Sequence, residues 1–340
     1  MRTNEWKIQS LKLVRSLGVV VAMLVAAGWA PALAQPVTLK FATEATPGDH
    51  LHYVAAEWLR DSMARASNGQ VKVEIFHSGT LGNEPDLVDG LRIGSVDATI
   101  VVLGNLSTVV PEFSLFSASY LFSGYDHVRR TLATPKFVQR MDEITASKNV
   151  GLRLLGTSVL GPRFVFAARP VRSLADLSGL KMRVIPNPVE TQIWTALGAI
   201  TTPMPSTEIY GAMQARVIDG AEGSIPYIHQ QKLYEVGRYI VLTRHQFALS
   251  AILVSQRALN RLTPAQRAML SEAAVAVASR GIDHTEASVD QYIQLVSKQP
   301  RVEVITVDTH KFSERVAPLH AEIAARLGVS DILNMVEAAR

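Results

Sequence analysis

The stretch "VTLKFATEATPGDHLHYVAAEWLRDSMARASNGQVKVEIF", Val37 to Phe76, decides the fold. Val37 to Thr43 read as a strand. After Thr46-Pro47-Gly48, Asp49 is placed to cap a helix whose apolar side holds Leu51, Val54, Ala55, Trp58 and Leu59. Asn68-Gly69 ends that helix, the glycine supplying the left-handed conformation common at helix C-termini. "VKVEIF", Val71 to Phe76, is strand again. Strand, helix and strand in this order make a parallel βαβ unit and place the chain in the α/β class.

The alternation continues outward. A turn, "HSGTLGN", leads to a helix near Glu84 to Ile93, and "DATIVVL" (Asp97 to Leu103) is a strand. Further on, "GLRLLGT" and "RFVFAARP" read as two strands, followed by a loop and the strand "LKMRVI" (Leu180 to Ile185). A helix covers Pro188 to Leu197, and Ser206 is expected to cap another running to Gln214. "LRIGSVDAT" from Leu91 and "MQARVIDGA" from Met213 look alike, each ending a helix and opening a short strand through an aspartate. From Thr263 the pattern becomes a long helix, with Thr263 as N-cap, Pro264 at the first turn, Gln266 completing a capping box and Gly281 as an expected bend. Pro300 ends it, and "VEVITV" (Val302 to Val307) returns to strand. Two α/β units followed by one long helix imply two lobes and a brace that spans them.

The chain opens on a basic segment with Arg2, Lys7, Lys12 and Arg15. The apolar run Leu17 to Ala34 follows, ending in Ala32-Leu33-Ala34. Basic, apolar and A-x-A in this order read as a secretory signal peptide over residues 1–34, the alternative being an uncleaved anchor. The 340 residues contain no cysteine, which excludes disulfides, thiolate metal sites, a cysteine nucleophile and a lipid anchor on an N-terminal cysteine. An exported chain without cysteine suits a bacterial periplasm. The formal net charge is +4. Four basic residues less Glu5 give the leader +3, so the remaining chain carries about +1. That balance, with no basic run interleaved with aromatics, excludes a nucleic-acid binder.

Motifs for chemistry are missing. "GTSVLG" (Gly156 to Gly161) has phosphate-loop spacing, but Pro162 stands where a lysine is required. There is no G-x-G-x-x-G, G-x-S-x-G or H-E-x-x-H, so no cofactor is expected. His50 and His52, two apart on a helix, point in different directions and read as exposed helix-start residues rather than metal ligands. Glu44, Glu84 and Glu222 have no spacing that forces them into an acid–base set. One residue stands out by contrast. In "SLADLSGLKMRVIPN", Ser173 to Asn187, Arg183 interrupts an apolar strand, so either a carboxylate such as Asp176 pairs with it or it faces a cleft and a ligand.

From Val37 onward the sequence resembles the extracytoplasmic solute-binding proteins of TRAP (tripartite ATP-independent periplasmic) transporters. The stretch Leu39 to Glu84 is followed in the family's order by "LRIGSVDATIVV", "VPEFSLFSASYLF", "GPRFVFAARPVRSLADLSGLKMRV" and "MPSTEIYGAMQARVIDGAEGS". The most specific part is Ser173 to Val184, where the family reads S-x-x-D-L/M-x-G-L-K-x-R-V. The resemblance implies two α/β lobes joined by crossing strands, braced by a long helix and closing on a hinge over a ligand. It divides the chain into residues 35–160 plus about 249–288 for lobe I, and 161–248 plus about 289–340 for lobe II.

It also implies the site. Arg183 matches the arginine that binds a substrate carboxylate, a task for which the guanidinium fork is suited. Arg163 stands where sialic-acid-binding members carry a second such arginine. Glu44, Glu84, Val102 and Asn105 are expected to face the cleft from the first lobe, while Asn187 and Glu222 are further pocket candidates. Gly223 replaces a side chain that sialate and keto-acid binders place there, and implies a larger pocket. Ser206 and Val102 replace a bulky aromatic and an acid of sialate binders, so sialic acid itself is disfavoured. The expected role is a periplasmic binding subunit, a monomer, that delivers a small organic acid to the small and large membrane subunits of a permease. The ligand classes left open are dicarboxylates, sugar acids and aromatic acids. A periplasmic enzyme of similar shape and a ligand-presenting protein for a membrane sensor are the rival readings.

Overall fold

The computed structural model describes residues 36–340, so the leader lies outside the described residues. Among the described residues nine strands form one sheet, in the spatial order Val71–Phe76 (β2), Val37–Ala42 (β1), Ala98–Val102 (β3), Tyr239–Ser255 (β8), Leu152–Ala167 (β4), Gly220–Ser224 (β7), Lys181–Val184 (β5) and Ile200–Pro203 (β6), with Glu303–Ile305 (β9) joined to β8. Val37–Ala42 (β1), Val71–Phe76 (β2) and Ala98–Val102 (β3) are parallel neighbours, as the opening βαβ pattern requires. Leu51–Ala66 (α1) and Glu84–Ile93 (α2) are the connecting helices. Tyr125–Leu132 (α3) and Pro135–Ser147 (α4) then lead into Leu152–Ala167 (β4). A second parallel set follows in Lys181–Val184 (β5), Ile200–Pro203 (β6) and Gly220–Ser224 (β7), with helices Pro188–Ala196 (α5), Ile209–Gln214 (α6) and Ile225–Gln230 (α7).

Two long antiparallel strands tie these sets together. At about 3.3 Å per residue, β4 with 16 residues and Tyr239–Ser255 (β8) with 17 each run about 50 Å. The C-terminal end of β8 pairs with β3, from Ala98↔Val254 to Val102↔Ser250. The C-terminal half of β4 pairs with β7, from Arg163↔Ser224 to Ala167↔Gly220. Each long strand therefore belongs to both lobes and crosses between them. The segments "GLRLLGT" and "RFVFAARP", expected as two strands, are one strand carrying register shifts between Leu154 and Gly156, Val159 and Pro162, and Arg163 and Val165. "GTSVLG" lies inside that strand.

Gln256–Arg261 (α8) precedes the brace, Pro264–Ser297 (α9). The capping box of Thr263 and Gln266 opens α9 as expected, and its 34 residues run on without a break. Glu303–Ile305 (β9), His310–Leu327 (α10) and Ser330–Ala338 (α11) complete the chain. No described helix is long and apolar enough to cross a membrane.

The helix α9 is continuous through Gly281, and the missing side chain lets it pack closely on β4 and α1. A Cβ there would stand 2.5 Å from Ser158 Oγ on β4 and 2.7 Å from Leu51 Cδ1 on α1. Overpacking of this kind costs about 1–3 kcal/mol. Gly281→Ala is therefore expected to lower the free energy of unfolding, measured by urea titration, by that amount, even though alanine favours the helix.

Two local expectations are also corrected. His50, not Asp49, caps α1, its Nδ1 accepting from His52 N at 3.2 Å. Ser206 does not cap a helix: Ser206–Glu208 is a short 3-10 turn before α6, and the Ser206 hydroxyl is used elsewhere.

Candidate functional site

Antiparallel pairing of β4 and β7 sets Val165 opposite Glu222, with Arg163 two residues away on the same strand. Alternation sends Arg163 and Glu222 to one face. There the Arg163 guanidinium grips the Glu222 carboxylate through Nε and Nη2. From β5, Arg183 reaches the same carboxylate through Nη1 at 3.4 Å and donates Nε–H to Met204 O at 2.9 Å. His245 on β8 brings Nε2 within 3.5 Å of Glu222 Oε2, its Nδ1 sharing a 2.8 Å hydrogen bond with Thr243 Oγ1. All four side chains are buried, Glu222 completely.

Two cations thus share one anion. Burial alone would push the Glu222 carboxyl up, but the Arg163 charge, the nearby His245 ring and the hydrogen bonds from Arg163 hold it well below the usual carboxylate range. Burial lowers Arg183, because its share of Glu222 does not offset the loss of water. The Asp176 pairing weighed for Arg183 does not occur: Asp176 accepts from Arg172 N, Ser173 N and Ser173 Oγ on the surface.

The opposite wall comes from β1, α1, α2 and β3. Glu84 is the first residue of α2, and its Oε2 accepts from Val102 N at 2.8 Å and Asn105 Nδ2 at 2.7 Å. Its Oε1 lies 3.2 Å from His52 Nδ1, and His52 Nε2 shares a 2.8 Å bond with Ser250 Oγ on β8. Glu44, just past β1, accepts from Glu84 N at 3.2 Å and from the Ser206 hydroxyl, which arrives from the turn after β6. Burial, then the neighbouring Glu84 charge, raises the Glu44 carboxyl above its ordinary value. Tyr227 Oη donates to Ser206 O at 3.0 Å and closes that side.

Between the walls lies a cavity that both of them line. Of the candidates, Arg183, Arg163, Glu84, Glu44, Glu222, Asn105, Val102 and Ser206 line it. Asn187 and Gly223 do not. Asn187 caps α5 through Val189 N at 2.8 Å, and its Nδ2 donates to Gly104 O and Ser117 Oγ, so its polar atoms are occupied. The room expected at Gly223 is taken by a neighbour: a Cβ there would stand 3.1 Å from Tyr227 Cδ1.

The cavity also exposes what the sequence reading missed. His50 and His52, expected at the surface, are buried and line the cavity, as do Tyr227, Gln230 and Ser224. His52 had a readable signal, since it shares a helical face with Ala55, Ala56, Leu59 and Met63. Tyr227 had none, as α7 spans only six residues. No group of three or more His, Cys, Asp or Glu side chains among the described residues is placed to hold a metal ion.

A buried cationic pair facing an acidic wall, between two lobes joined by crossing strands, defines a two-lobed binding protein for small anions. The model for the bacterial extracellular solute-binding proteins of family 7 matches residues 41–327. The chain belongs to this family and is a solute-binding protein of the TRAP type.

It is 29% identical over 294 residues to the sialic acid-binding periplasmic protein SiaP of Vibrio cholerae serotype O1, covering 86% of this chain and 89% of that one. It is 30% identical over 239 residues to the 2,3-diketo-L-gulonate-binding periplasmic protein YiaO of Escherichia coli K12, covering 69% and 71%. Among solved structures, a TRAP periplasmic solute-binding protein of Pseudomonas putida F1 with bound D-glucuronate superposes with a TM-score of 0.84 at 28% identity, covering 89% of this chain and 97% of that one. The sugar acid-binding protein DctPAm of Advenella mimigardefordensis with galactonate gives 0.83 at 26% identity, covering 90% and 99%.

Proposed function

We propose that the protein captures a sugar acid intact in the periplasm and delivers it to the small and large membrane subunits of a TRAP permease. The observation that carries the ligand class is the sharing of Glu222 by Arg163 and Arg183, which leaves the pair one positive charge in excess. A ligand carboxylate completes it, held by the free donors of the Arg183 fork. The wall of Glu84, Glu44 and the two histidines presents acceptors for hydroxyl donors, which a polyhydroxylated acid supplies and an aromatic acid does not. D-glucuronate and galactonate, bound by the similar structures, are of this class.

In this reading lobe I comprises residues 35–160 with about 249–288, and lobe II 161–248 with about 289–340, with β4 and β8 as the hinge. Closure places Ser206 of lobe II on Glu44 of lobe I. A ligand that touches both walls favours the closed form by its differential affinity for it.

Thermal unfolding with a panel of D-glucuronate, D-galactonate, succinate, benzoate and N-acetylneuraminate tests the ligand class. At 100 times Kd a ligand stabilises by about 2.7 kcal/mol, so D-glucuronate or D-galactonate is expected to raise the midpoint, and benzoate and N-acetylneuraminate to leave it unchanged. Mass spectrometry of the recovered compound is expected to show it unaltered. A shift with benzoate or succinate alone overturns the sugar-acid reading, and a chemically altered compound overturns binding without turnover.

A further inference from the structure

We infer that Glu190, buried behind the arginine pair, is held as the neutral acid and thereby fixes the ligand at one carboxylate. This rests on the reading of Arg163 and Arg183 as the anion site.

Glu190 lies in the first turn of α5 and is 2% exposed. Its Oε2 accepts from Trp194 Nε1 at 3.2 Å, and its Oε1 has no partner. No cation reaches it, because both arginines are turned to Glu222 and Met204 O. An ionised carboxylate with one neutral donor and no counter-ion is costly in such a place, whereas the neutral acid is not.

The charged groups whose fields reach it are Glu222 from β7, Arg163 from β4 and Arg183 from β5. His245 on β8 lies one step further, its ring edge-on to Trp194 with centroids 5.0 Å apart. The charged side chains of α10 that approach α5, Glu322 and Arg326, meet Gln192 instead, on the exposed face. Burial and then the Glu222 charge raise the Glu190 carboxyl to about 8, against the pull of the two arginines.

The charge count follows. With Glu190 neutral, two arginines and Glu222 sum to +1, and one ligand carboxylate brings the group to zero. With Glu190 ionised, the group is already neutral and a ligand carboxylate adds an uncompensated charge. By linkage, ligand binding raises the Glu190 carboxyl further, and rising pH weakens binding. Stability has the same sign: between pH 4.5, the ordinary glutamate value, and about 8, the unfolded chain releases a proton that the folded chain keeps. The wild type therefore loses stability as pH rises through that window, and Glu190→Gln is expected to lose less.

Trp194 supplies a direct reporter. In the ligand-free protein, the ¹⁵N–¹H signal of the Trp194 indole, assigned by its loss in Trp194→Phe, is expected to show one inflection near pH 8 over pH 4.5–10, absent in Glu190→Gln. No inflection in the wild type, or one below pH 7, overturns the inference whatever the ligand proves to be. Calorimetry with D-glucuronate gives the second arm. The wild type is expected to bind roughly five- to tenfold more weakly at pH 9.5 than at pH 7, as a coupling of about one pKa unit dictates, and Glu190→Gln to change less than twofold. An equal loss in both proteins overturns the role of Glu190. Failure of D-glucuronate and D-galactonate to bind at any pH instead overturns the ligand reading, while the indole titration still decides the state of Glu190.

Discussion

Arg183→Ala is expected to weaken D-glucuronate binding at least 100-fold while leaving the fold of the free protein intact. Truncating one partner of a buried, hydrogen-bonded charge pair costs about 2–5 kcal/mol of affinity or more, and each 1.4 kcal/mol is tenfold. The upper half of that range applies here, because Arg183 lines the cavity, is 3% exposed and offers its fork where no other group can supply two parallel donors. The fold loses little. Arg163 keeps hold of Glu222, and burial disfavours the charge of Arg183. The 2.9 Å bond to Met204 O and the 3.4 Å contact to Glu222 are forfeited, and water in the enlarged cavity replaces them. Arg183→Lys keeps the charge but not the planar fork, and is expected to recover no more than a tenth of the lost affinity. Calorimetry decides between these outcomes, and an unchanged Kd in Arg183→Ala would remove Arg183 from the site.

That Arg183 mattered was legible in the sequence, since a charge among Leu180, Met182, Val184 and Ile185 has to be explained. The opening βαβ unit and the brace were legible for the same kind of reason: alternation, caps and turn residues are local signals. The role of Glu222 was not. It depends on a β4–β7 register that joins residues 59 positions apart, and no local pattern records it. The strand β8 was obscured where it matters, because Thr243, Arg244, His245 and Gln246 break its apolar run. Arg244 bends the backbone there with φ of 41°, and His245 turns to Glu222. Gly223 illustrates the opposite error. A missing side chain reads as empty space in one dimension, but a residue four positions later packs its ring against the gap.

Arg163→Ala is expected to be the most destabilising of the site substitutions, by about 3–5 kcal/mol, the cost of leaving one member of a buried ion pair uncompensated. In a domain of this size that corresponds to a fall in Tm of roughly 6–15 °C. Arg183 cannot take over, because its single contact to Glu222 is 3.4 Å long and its Nε is committed to Met204. If the loss comes from the stranded charge, removing that charge restores stability. Arg163→Met combined with Glu222→Gln is expected to regain part of it, because the two neutral side chains have similar volume to those replaced while Arg183 is left without its anion.

The pH dependence separates this from a simple loss of packing. Glu222 is depressed in the folded protein relative to its ordinary value of 4.5, so its contribution is complete above that pH and fades as pH falls below it. The difference in Tm between wild type and Arg163→Ala should therefore shrink from pH 6 to pH 3. A difference that stays constant over that range would mean that Arg163 stabilises the protein by the bulk of its side chain and not by pairing with Glu222.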